Sequence, residues 1–315
     1  MDPNVLVAGE TLIDFLPGSD DALSEVEQFS RRAGGAPANV AVRLDQLGHT
    51  PWFWTRVGDG PFGDFLVSVL DDRGLPDRFV ERDPEKKTSL AFVSGDPESG
   101  PRFTFYRDRT ADTRFQEGTV PDEVLDGVDW VVVGGVLLAS SPSREAIHDL
   151  VERAGERGCT VVFDPNARPE LWGGADFETE IRRILGSVDV VKATPGDLGI
   201  AGFDADADDL AEQVHEAGPH TVFLTMGEEG STASSTADAP WGEDAVEHGS
   251  YRVDAVDDTG AGDAFTAGVV ATLADGERDL ERVLARANAV AAASTTRQGG
   301  MAQLPDPAEV VDGYE

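Results

Sequence analysis

Short runs of β-branched and aliphatic residues alternate along the chain with longer segments in which apolar residues recur every three or four positions. The runs predict strands, and the intervening segments predict helices. Such alternation is typical of a mostly parallel sheet covered by helices. The predicted strands are Val5–Ala8, Trp130–Val133, Thr160–Phe163, Val188–Val191 and Val222–Thr225, and the predicted helices are Ser143–Glu156, Phe177–Leu185 and Asp208–Glu216.

A different pattern interrupts this alternation between residues 87 and 107. Thr88–Val93 and Arg102–Arg107 are strand-like runs joined by the turn-forming segment Gly95–Pro101. Two such runs around a turn predict a β-hairpin, and a hairpin inserted into a β/α pattern suits a small lid over a site. Further along, residues 236–249 are predicted to form a loop.

Small and polar residues follow four of the predicted strands. In an open parallel sheet the ligand lies beyond the carboxyl ends of the strands. We therefore expect these residues to converge on one site at that edge. The segments concerned are Gly134–Gly135, Asp164–Arg168, Lys192–Asp197 and Thr225–Gly227.

The stretch Asp257–Gly268 carries two glycines, Gly260 and Gly262, before the helix-compatible run Ala264–Leu273. Glycines let successive N–H groups point inward at a helix N-terminus, where the dipole and the free donors hold an anion. Asp263 falls in the first turn, where an ordinary N-cap is the alternative interpretation. A cap needs one residue, whereas this stretch also contains two glycines and an alanine. The pattern therefore predicts an anion-binding helix start, with the pKa of Asp263 held low by the dipole.

A second glycine-rich stretch, residues 33–39, precedes the predicted helix Ala38–Leu47. Pro37 suits a helix start. Asn39 could point from the first turn into a cleft, and a surface asparagine beside a packing turn is an equally good interpretation of this segment by itself.

A third glycine pattern, Gly58–Gly63, matches G-x-G-x-x-G after the apolar run Trp52–Val57, and Asp83 follows 20 residues beyond Gly63. A single match of this kind is a weak sign of nicotinamide dinucleotide binding. Pro61 stiffens the loop where a dinucleotide needs close backbone approach, which disfavours an oxidoreductase. The lysines lack the neighbours of a P-loop, and the five histidines lack zinc-ligand spacing.

Composition narrows the range of partners. The 315 residues include 60 Asp and Glu against 25 Lys and Arg, which gives a net charge of −35. Such a field repels nucleic acid and anionic lipid, and its even spread along the chain indicates a salt-adapted, solvated surface. The single Cys159 excludes an internal disulfide. The N-terminus lacks a basic leader, and no apolar run approaches 18 residues, so we expect a cytoplasmic location and no membrane partner.

These motifs resemble the ribokinase (PfkB) family of sugar kinases over nearly the whole chain. The N-terminal motif is similar to Gly34-Gly35-x-x-x-Asn39, and the C-terminal motif is similar to Asp258-Thr-Gly-Ala-Gly-Asp263. The resemblance implies one kinase domain over residues 1–315, with a doubly wound sheet and a small β-sheet lid from about 11–33 and 86–110. It also implies ATP, Mg²⁺ and K⁺ as cofactors, and a homodimer through the lid.

The resemblance further implies roles for single residues. Asp263 would be the catalytic base, with Gly260, Ala261 and Gly262 as an anion hole. The residues implied to hold the sugar are Asp14, Gly34, Gly35 and Asn39. The residues implied to bind ATP are Lys192, Thr194, Thr225, Gly227, Gly230 and Asn288. The residues that resemble the family's monovalent-cation site, mainly through backbone groups, are Asp257, Thr259, Ser294, Arg297 and Gly299.

One departure from the family pattern concerns the magnesium site. Where the family usually has Asn-x-x-Glu, this chain has Thr194-Pro-Gly-Asp197. The carboxylate is kept but is one methylene shorter, so Asp197 is predicted to assist Mg²⁺ binding directly or through water.

Within the family, two substrate classes remain open. The stretches Gly9–Pro17, Phe105–Asp112 and Asp164–Trp172 look most like fructokinases, and the last two are shared in part with 2-keto-3-deoxygluconate kinases. Arg107 and Arg168 are predicted to contact substrate, and either could bind a keto-acid carboxylate. Phe105 stands where the keto-acid enzymes more often have tyrosine, which favours a neutral ketose. A catalytically silent sugar- or nucleotide-binding protein is disfavoured by the intact Asp263.

The net charge of −35 generates a first prediction. Self-repulsion should destabilise the fold in dilute buffer, because the Debye length grows from ~3 Å at 1 M salt to ~30 Å at 0.01 M. The melting temperature should therefore rise steeply between 0.01 M and 1 M KCl, and similarly in NaCl. A melting temperature that stays level over this range would contradict the salt adaptation.

Overall fold

A computed structural model describes residues 2–19, 21–94, 102–172, 177–204 and 209–310. The buried apolar runs form one nine-stranded sheet in the order β13-β12-β11-β10-β9-β8-β1-β4-β5, parallel except at β12 and β13. Its strands are β1 (Val5–Ala8), β4 (Trp52–Gly58), β5 (Val80–Asp83), β8 (Trp130–Gly134), β9 (Thr160–Asp164), β10 (Val190–Ala193), β11 (Thr221–Thr225), β12 (Ser231–Ser235) and β13 (Asp244–His248).

Helices cover both faces of this sheet, because its central strands are apolar on both sides. In β1, Leu6 and Ala8 pack into one core, and Val5 and Val7 pack into the other. The helices are α1 (Ala36–Gln46), α2 (Pro61–Asp72), α3 (Asp122–Leu125), α4 (Ser143–Glu156), α5 (Phe177–Leu185), α6 (Pro195–Ile200), α7 (Leu210–Glu216), α8 (Ala261–Ala274), α9 (Leu280–Thr295) and α10 (Pro307–Val310). The doubly wound fold expected from the sequence is therefore confirmed.

A second, smaller sheet has four strands in the order β3-β2-β6-β7. These strands are β2 (Leu12–Pro17), β3 (Phe29–Gly34), β6 (Leu90–Ser94) and β7 (Arg102–Tyr106). They come from the segments 11–33 and 86–110, with β3 extending one residue further. The antiparallel pairing of β6 with β7 confirms the predicted hairpin, whereas its turn, Gly95–Pro101, lies outside the described residues. The action of this sheet as a lid, within one kinase domain, stays a prediction.

Two strand predictions need correction. The strand predicted at Val188–Val191 is observed at Val190–Ala193, where the Asp189 carboxylate accepts the Val161 N–H just before the strand begins. The loop predicted over 236–249 contains β13 (Asp244–His248), which pairs antiparallel with β12. Exposed edge-strand residues such as Asp244 and Glu247 hide this strand from a hydrophobicity pattern.

Helix boundaries agree closely with the predicted ones. Ser143–Glu156 and Phe177–Leu185 are observed at their predicted limits. The helix predicted from Asp208 is described from Leu210, and Asp208 itself lies outside the described residues. None of the helices in the described part of the chain combines the length and the apolar character needed to cross a bilayer.

Candidate functional site

A cleft of about 440 Å³ lies where the carboxyl ends of the large sheet meet the small sheet. Of the four strand-end segments expected to converge on one site, Asp164–Arg168 and Lys192–Asp197 line this cleft, whereas Gly134–Gly135 and Thr225–Gly227 do not. Its walls combine side chains from both sheets and from the start of α8. The lining residues include Glu10, Leu12, Asp14, Gly35, Asn39, Phe103, Phe105, Asp164, Asn166, Arg168, Lys192, Thr194, Asp197, Asp258, Thr259, Gly260, Ala261, Gly262 and Asp263.

The start of α8 lies in this cleft. Gly260 is the residue preceding the helix, with a left-handed φ of 80°, and no side chain caps it. The first turn of a helix leaves N–H groups without intrahelical acceptors. The Ala261 N–H donates to the Asp258 carbonyl, so the donors offered to an anion are chiefly those of Gly262 and Asp263. The structure therefore shows an uncapped helix start with two free donors, while anion binding there stays a prediction in which Ala261 contributes less than expected.

Asp263 does not cap α8. Gly260 occupies the cap position, and the Asp263 Oδ2 accepts a hydrogen bond of 2.8 Å from Asn39 Nδ2. Burial raises the pKa of Asp263 to about 6, although Asn39 and Lys192 oppose the shift. The expectation that the helix dipole holds this pKa low is wrong, because the loss of water around the carboxylate outweighs it. Asn39 is buried, so its interpretation as a surface residue is also wrong.

Lys192 brings a positive charge to the same helix start. Its Nζ lies 3.0 Å from Asp164 Oδ2. A Cβ added to Gly262 would lie 3.0 Å from that Nζ, so the glycine permits the ammonium to approach the helix. Burial acts to lower the pKa of Lys192, but Asp164, Asp263 and Asp197 raise it above its usual value. The lysine therefore stays protonated beside the N–H donors, as a phosphate site requires.

Two adjacent glycines place the sugar-binding candidate Asp14. A Cβ on Gly34 would lie 1.9 Å from Asp14 Oδ2, so only glycine lets this carboxylate lie against the backbone. Gly35 has a φ of 105°, and a Cβ there would lie 2.6 Å from the Glu10 carbonyl oxygen. Burial raises the pKa of Asp14 to about 7, with the charge of Arg32 opposing. Asp14 and Gly35 line the cleft, whereas Gly34 lies behind Asp14.

The two arginines predicted to contact substrate have different positions. Arg168 lines the cleft, with its guanidinium 5.7 Å from the Phe103 ring centre. Arg107 is absent from the cleft lining and its side chain is only 4% exposed, with Nε 2.5 Å from Asp112 Oδ2. The Asp112 ion pair holds the guanidinium outside this lining, in a neighbouring cavity that shares Phe103 and Phe105 with the cleft, and direct contact of Arg107 with substrate stays a prediction. Phe105, two residues earlier on β7, lines the cleft instead.

Asp197 lines the cleft but is held by its own chain. Its Oδ2 accepts hydrogen bonds from the Thr194 N–H and hydroxyl, and its Oδ1 accepts one from the Ala167 N–H. These contacts form a capping box at the start of α6. Among the described residues, no group of three or more His, Cys, Asp or Glu side chains is placed to hold a metal ion. Mg²⁺ needs few protein ligands when it is bound with nucleotide phosphates, so Asp197 and the nearby Asp164 still fit a water-mediated role.

Of the residues predicted to bind ATP, Lys192 and Thr194 line the cleft, whereas the other four do not. Thr225 ends β11, and Gly227 and Gly230 enclose the turn before β12. Asn288, on α9, accepts a hydrogen bond from Ser231 and donates one to the His248 carbonyl.

The cation-site segments do meet. The Asp257 N–H donates to the Thr295 carbonyl, and the Gly299 N–H donates to the Asp257 carboxylate. Ser294 donates its hydroxyl to the Ala291 carbonyl, and Arg297 is exposed. Thr259 N–H donates to the Asp257 carboxylate. Residues 257–259 and 294–299 are therefore adjacent, while their role in holding a cation stays a prediction.

Two cleft residues were missing from the predicted site. Glu10 and Phe103 line it, whereas Asp164 and Asn166 belong to a strand end that was expected there without a role for either residue. Glu10 follows β1 (Val5–Ala8), and the rule for strand ends that selected four other segments would have found it as well. Phe103 was hidden because the face that a lid strand presents depends on a register that turn residues set.

The glycine pattern Gly58–Gly63 has a packing explanation. A Cβ on Gly58 would lie 2.5 Å from the Lys86 carbonyl oxygen, and one on Gly63 would lie 1.8 Å from the Gly58 carbonyl oxygen. Asp83, the candidate ribose ligand, is 1% exposed and pairs with Arg56. The backbone thus approaches its own chain here, and the dinucleotide interpretation receives no support.

Comparison with known proteins agrees with this geometry. The family described as "pfkB family carbohydrate kinase" matches residues 2–307. A fructokinase of Vibrio alginolyticus is 32% identical, over 98% of this chain and 97% of its own length. The crystal structure of a Xylella fastidiosa fructokinase with bound ATP has a TM-score of 0.84 at 28% identity, covering 97% of this chain and 96% of that one. A double mutant of Vibrio cholerae O395 fructokinase, with fructose, ADP and potassium ion, has a TM-score of 0.83 at 28% identity, covering 98% of both chains.

The raised pKa of Asp14 generates a stability prediction. Its folded-state pKa of about 7 exceeds the ordinary value of 3.8, so the folded state binds more protons between these values and loses stability as the pH rises through 7. Asp14→Asn removes this penalty. We expect its melting temperature to exceed that of the wild type by a margin that is small near pH 4, grows as the pH rises to 7 and stays constant up to pH 8.5.

The matched control is Asp71→Asn, which removes one negative charge from the exposed face of α2. It separates burial of the carboxylate from the change in net charge. An Asp14→Asn variant that gains no more stability at pH 8.5 than this control would contradict the desolvation of Asp14.

Proposed function

Since the chain belongs to the pfkB family of carbohydrate kinases and is a phosphotransferase acting on a sugar hydroxyl, we propose that it transfers the γ-phosphate of ATP to fructose or a close ketohexose. The observation that carries the proposal is the meeting of three groups in one cleft: the Asp263 carboxylate, an uncapped helix start and the Lys192 ammonium. The first accepts a proton, and the other two attract a phosphoryl group. The 32% identity to a fructokinase supports the substrate.

Different cleft residues are proposed to accept the proton and to stabilise the transferring phosphoryl group. Phosphoryl transfer has a loose transition state, so positioning and charge neutralisation do most of the work. The Asp263 carboxylate takes the proton of the sugar hydroxyl as that oxygen bonds to the γ-phosphorus, and the bond from the γ-phosphorus to the ADP oxygen breaks. The N–H groups of Gly262 and Asp263, with Lys192, stabilise charge on the transferring group. Asn39 keeps Asp263 oriented through its hydrogen bond.

The cofactors complete this proposal. We propose that ATP lies along Thr225, Gly227, Gly230 and Asn288, with its phosphates towards Lys192 and Thr194. Mg²⁺, when bound, would neutralise phosphate oxygens, with Asp197 and Asp164 as its outer ligands. K⁺ would lie between residues 257–259 and 294–299, and the potassium ion in the Vibrio cholerae relative supports this proposal.

The charge of the cleft favours a neutral sugar over a keto acid. Glu10, Asp14 and Asp263 all line it, and they would repel a substrate carboxylate. Of the two arginines predicted to bind that carboxylate, only Arg168 lines the cleft. 2-Keto-3-deoxygluconate therefore remains the second candidate.

Two further expectations stay proposals. We propose that two copies of the chain form a homodimer through the small sheet, where the aromatic side chain of Tyr106 is 61% exposed. We also propose a cytoplasmic location, which suits the proposed substrates.

ADP release measured with ATP, MgCl₂ and a sugar panel in molar KCl tests the substrate. We expect fructose to give the highest kcat/KM, and 2-keto-3-deoxygluconate to give at least about tenfold less, since a charge against unpaired carboxylates costs a factor of that order. A preference for the keto acid would contradict the neutral-sugar proposal. If the protein instead changed the absorbance of an added nicotinamide dinucleotide, the oxidoreductase interpretation would be favoured.

Asp263→Asn tests the general base. The variant keeps the size of the side chain and a partner for Asn39 but cannot accept the proton. We expect kcat to fall by roughly 10²–10⁴, the usual contribution of a positioned base. Dissociation constants for fructose and for ATP, measured by calorimetry, should change little. Retention of more than about a tenth of wild-type kcat would contradict a base of this strength.

A further inference from the structure

Two buried, oppositely charged side chains beside the cleft each have one atom without a hydrogen-bond partner. Glu10 follows β1, is 3% exposed and lines the cleft. Among the described residues, neither its Oε2 nor the Arg107 Nη2 has a hydrogen-bond partner. Buried polar atoms are nearly always satisfied in folded proteins, so an unsatisfied carboxylate oxygen in a cleft indicates a partner that is supplied by a ligand.

Arg107 is fixed in place by a network that does not include substrate. Its Nε is paired with Asp112, whose Oδ1 accepts hydrogen bonds from Ser89 and from Thr110. Ser89 precedes β6, and Thr110 follows β7, so the network joins the hairpin at its base. The guanidinium therefore cannot turn towards the cleft without losing a buried ion pair.

The charge of Arg107 nevertheless acts on Glu10. Burial raises the pKa of Glu10 to about 7, and Asp112 and Asp263 add to the shift. A backbone hydrogen bond and the charge of Arg107 act in the opposite direction. No hydrogen bond or ion pair between the two side chains is found among the described residues, so Arg107 favours the ionised form of Glu10 through its charge while Oε2 keeps no hydrogen-bond partner.

We propose that Glu10 accepts a hydrogen bond from a substrate hydroxyl other than the one that is phosphorylated, and that Arg107 is a positioning residue that supports Glu10 without touching the sugar. A sugar is the appropriate partner because each of its hydroxyls can donate to a carboxylate. The inference deepens the proposed function and rests on it. Glu10 would then bind the substrate from the large sheet, while Asp14 on β2 binds it from the small sheet.

Glu10→Gln tests the first part. The amide keeps the size and an acceptor oxygen but loses the charge that strengthens the bond. We expect KM for fructose to rise roughly tenfold, since charge-assisted hydrogen bonds are about twice as strong as neutral ones. KM for ATP and the melting temperature at pH 6 should change little, which a merely structural role of Glu10 would not produce.

A series of fructose analogues, each lacking one hydroxyl, identifies the contact. The wild type should bind one of these analogues more weakly than it binds fructose, because that analogue lacks the hydroxyl that donates a hydrogen bond to Glu10. With Glu10→Gln, the same analogue should lose much less relative to fructose, whereas the losses for the other analogues stay as in the wild type.

Arg107→Met tests the positioning role, with Arg102→Met as the control. Arg102 is exposed on the same strand, so its loss removes the same charge without reaching Glu10. We expect Arg107→Met to raise KM for fructose, Arg107→Lys to restore part of the affinity, and Arg102→Met to change little. The double variant Glu10→Gln/Arg107→Met should bind fructose no more weakly than the weaker of its two single variants.

The outcomes separate the inference from the proposed function. If the wild type phosphorylates fructose but Glu10→Gln leaves both KM and the analogue series unchanged, the inference is wrong and the kinase assignment stands. Additive effects of Glu10→Gln and Arg107→Met would overturn the positioning role. Because Glu10→Gln is tested alone, poor folding of the Arg107 variants leaves the first part decidable. A wild type that phosphorylates no sugar would overturn the proposed function and this inference together.

Discussion

The hydrogen bond of 2.8 Å from Asn39 Nδ2 to Asp263 Oδ2 joins the starts of α1 and α8, and the rest of the cleft depends on it. Each helix begins at a glycine with positive φ, Gly35 and Gly260, because a side chain there would meet neighbouring backbone. The two glycine-rich stretches are far apart in the chain but adjacent in space. Their meeting places the proposed base Asp263, an uncapped helix start and the candidate sugar-binding carboxylate of Asp14 within one cavity.

Several buried carboxylates lie close together in this cleft, and nearby cationic side chains offset the unfavourable electrostatic energy of their ionised forms. Burial raises the pKa of Glu10, Asp14 and Asp263 alike. Lys192, Arg107 and Arg32 each oppose one of these shifts. In a chain of net charge −35, the few cations near the cleft therefore keep its carboxylates able to ionise near neutral pH.

The sequence predicted the features that depend on local pattern. Helix and strand periodicity located the parallel sheet, and the glycines around Asp263 located the anion-binding helix start. The edge strand Asp244–His248 was not predictable, because its side chains are polar and its pairing is set by β12. The burial of Arg107 and the raised pKa of Asp263 were also out of reach. The first depends on the ion pair with Asp112, and the second depends on water exclusion that only the packed structure supplies.

The central claim is that a desolvated Asp263 must be ionised to accept the proton of the sugar hydroxyl. The most direct test is the pH dependence of a single-turnover phosphoryl transfer, measured by rapid quench at saturating ATP and fructose, which removes effects on binding. A pKa of about 6 for Asp263 predicts a rate that is constant above that pH and falls tenfold per pH unit below it. A rate that stays constant down to pH 4.5 would contradict the claim, because Asp263 would then be ionised by the helix dipole or unnecessary as a base.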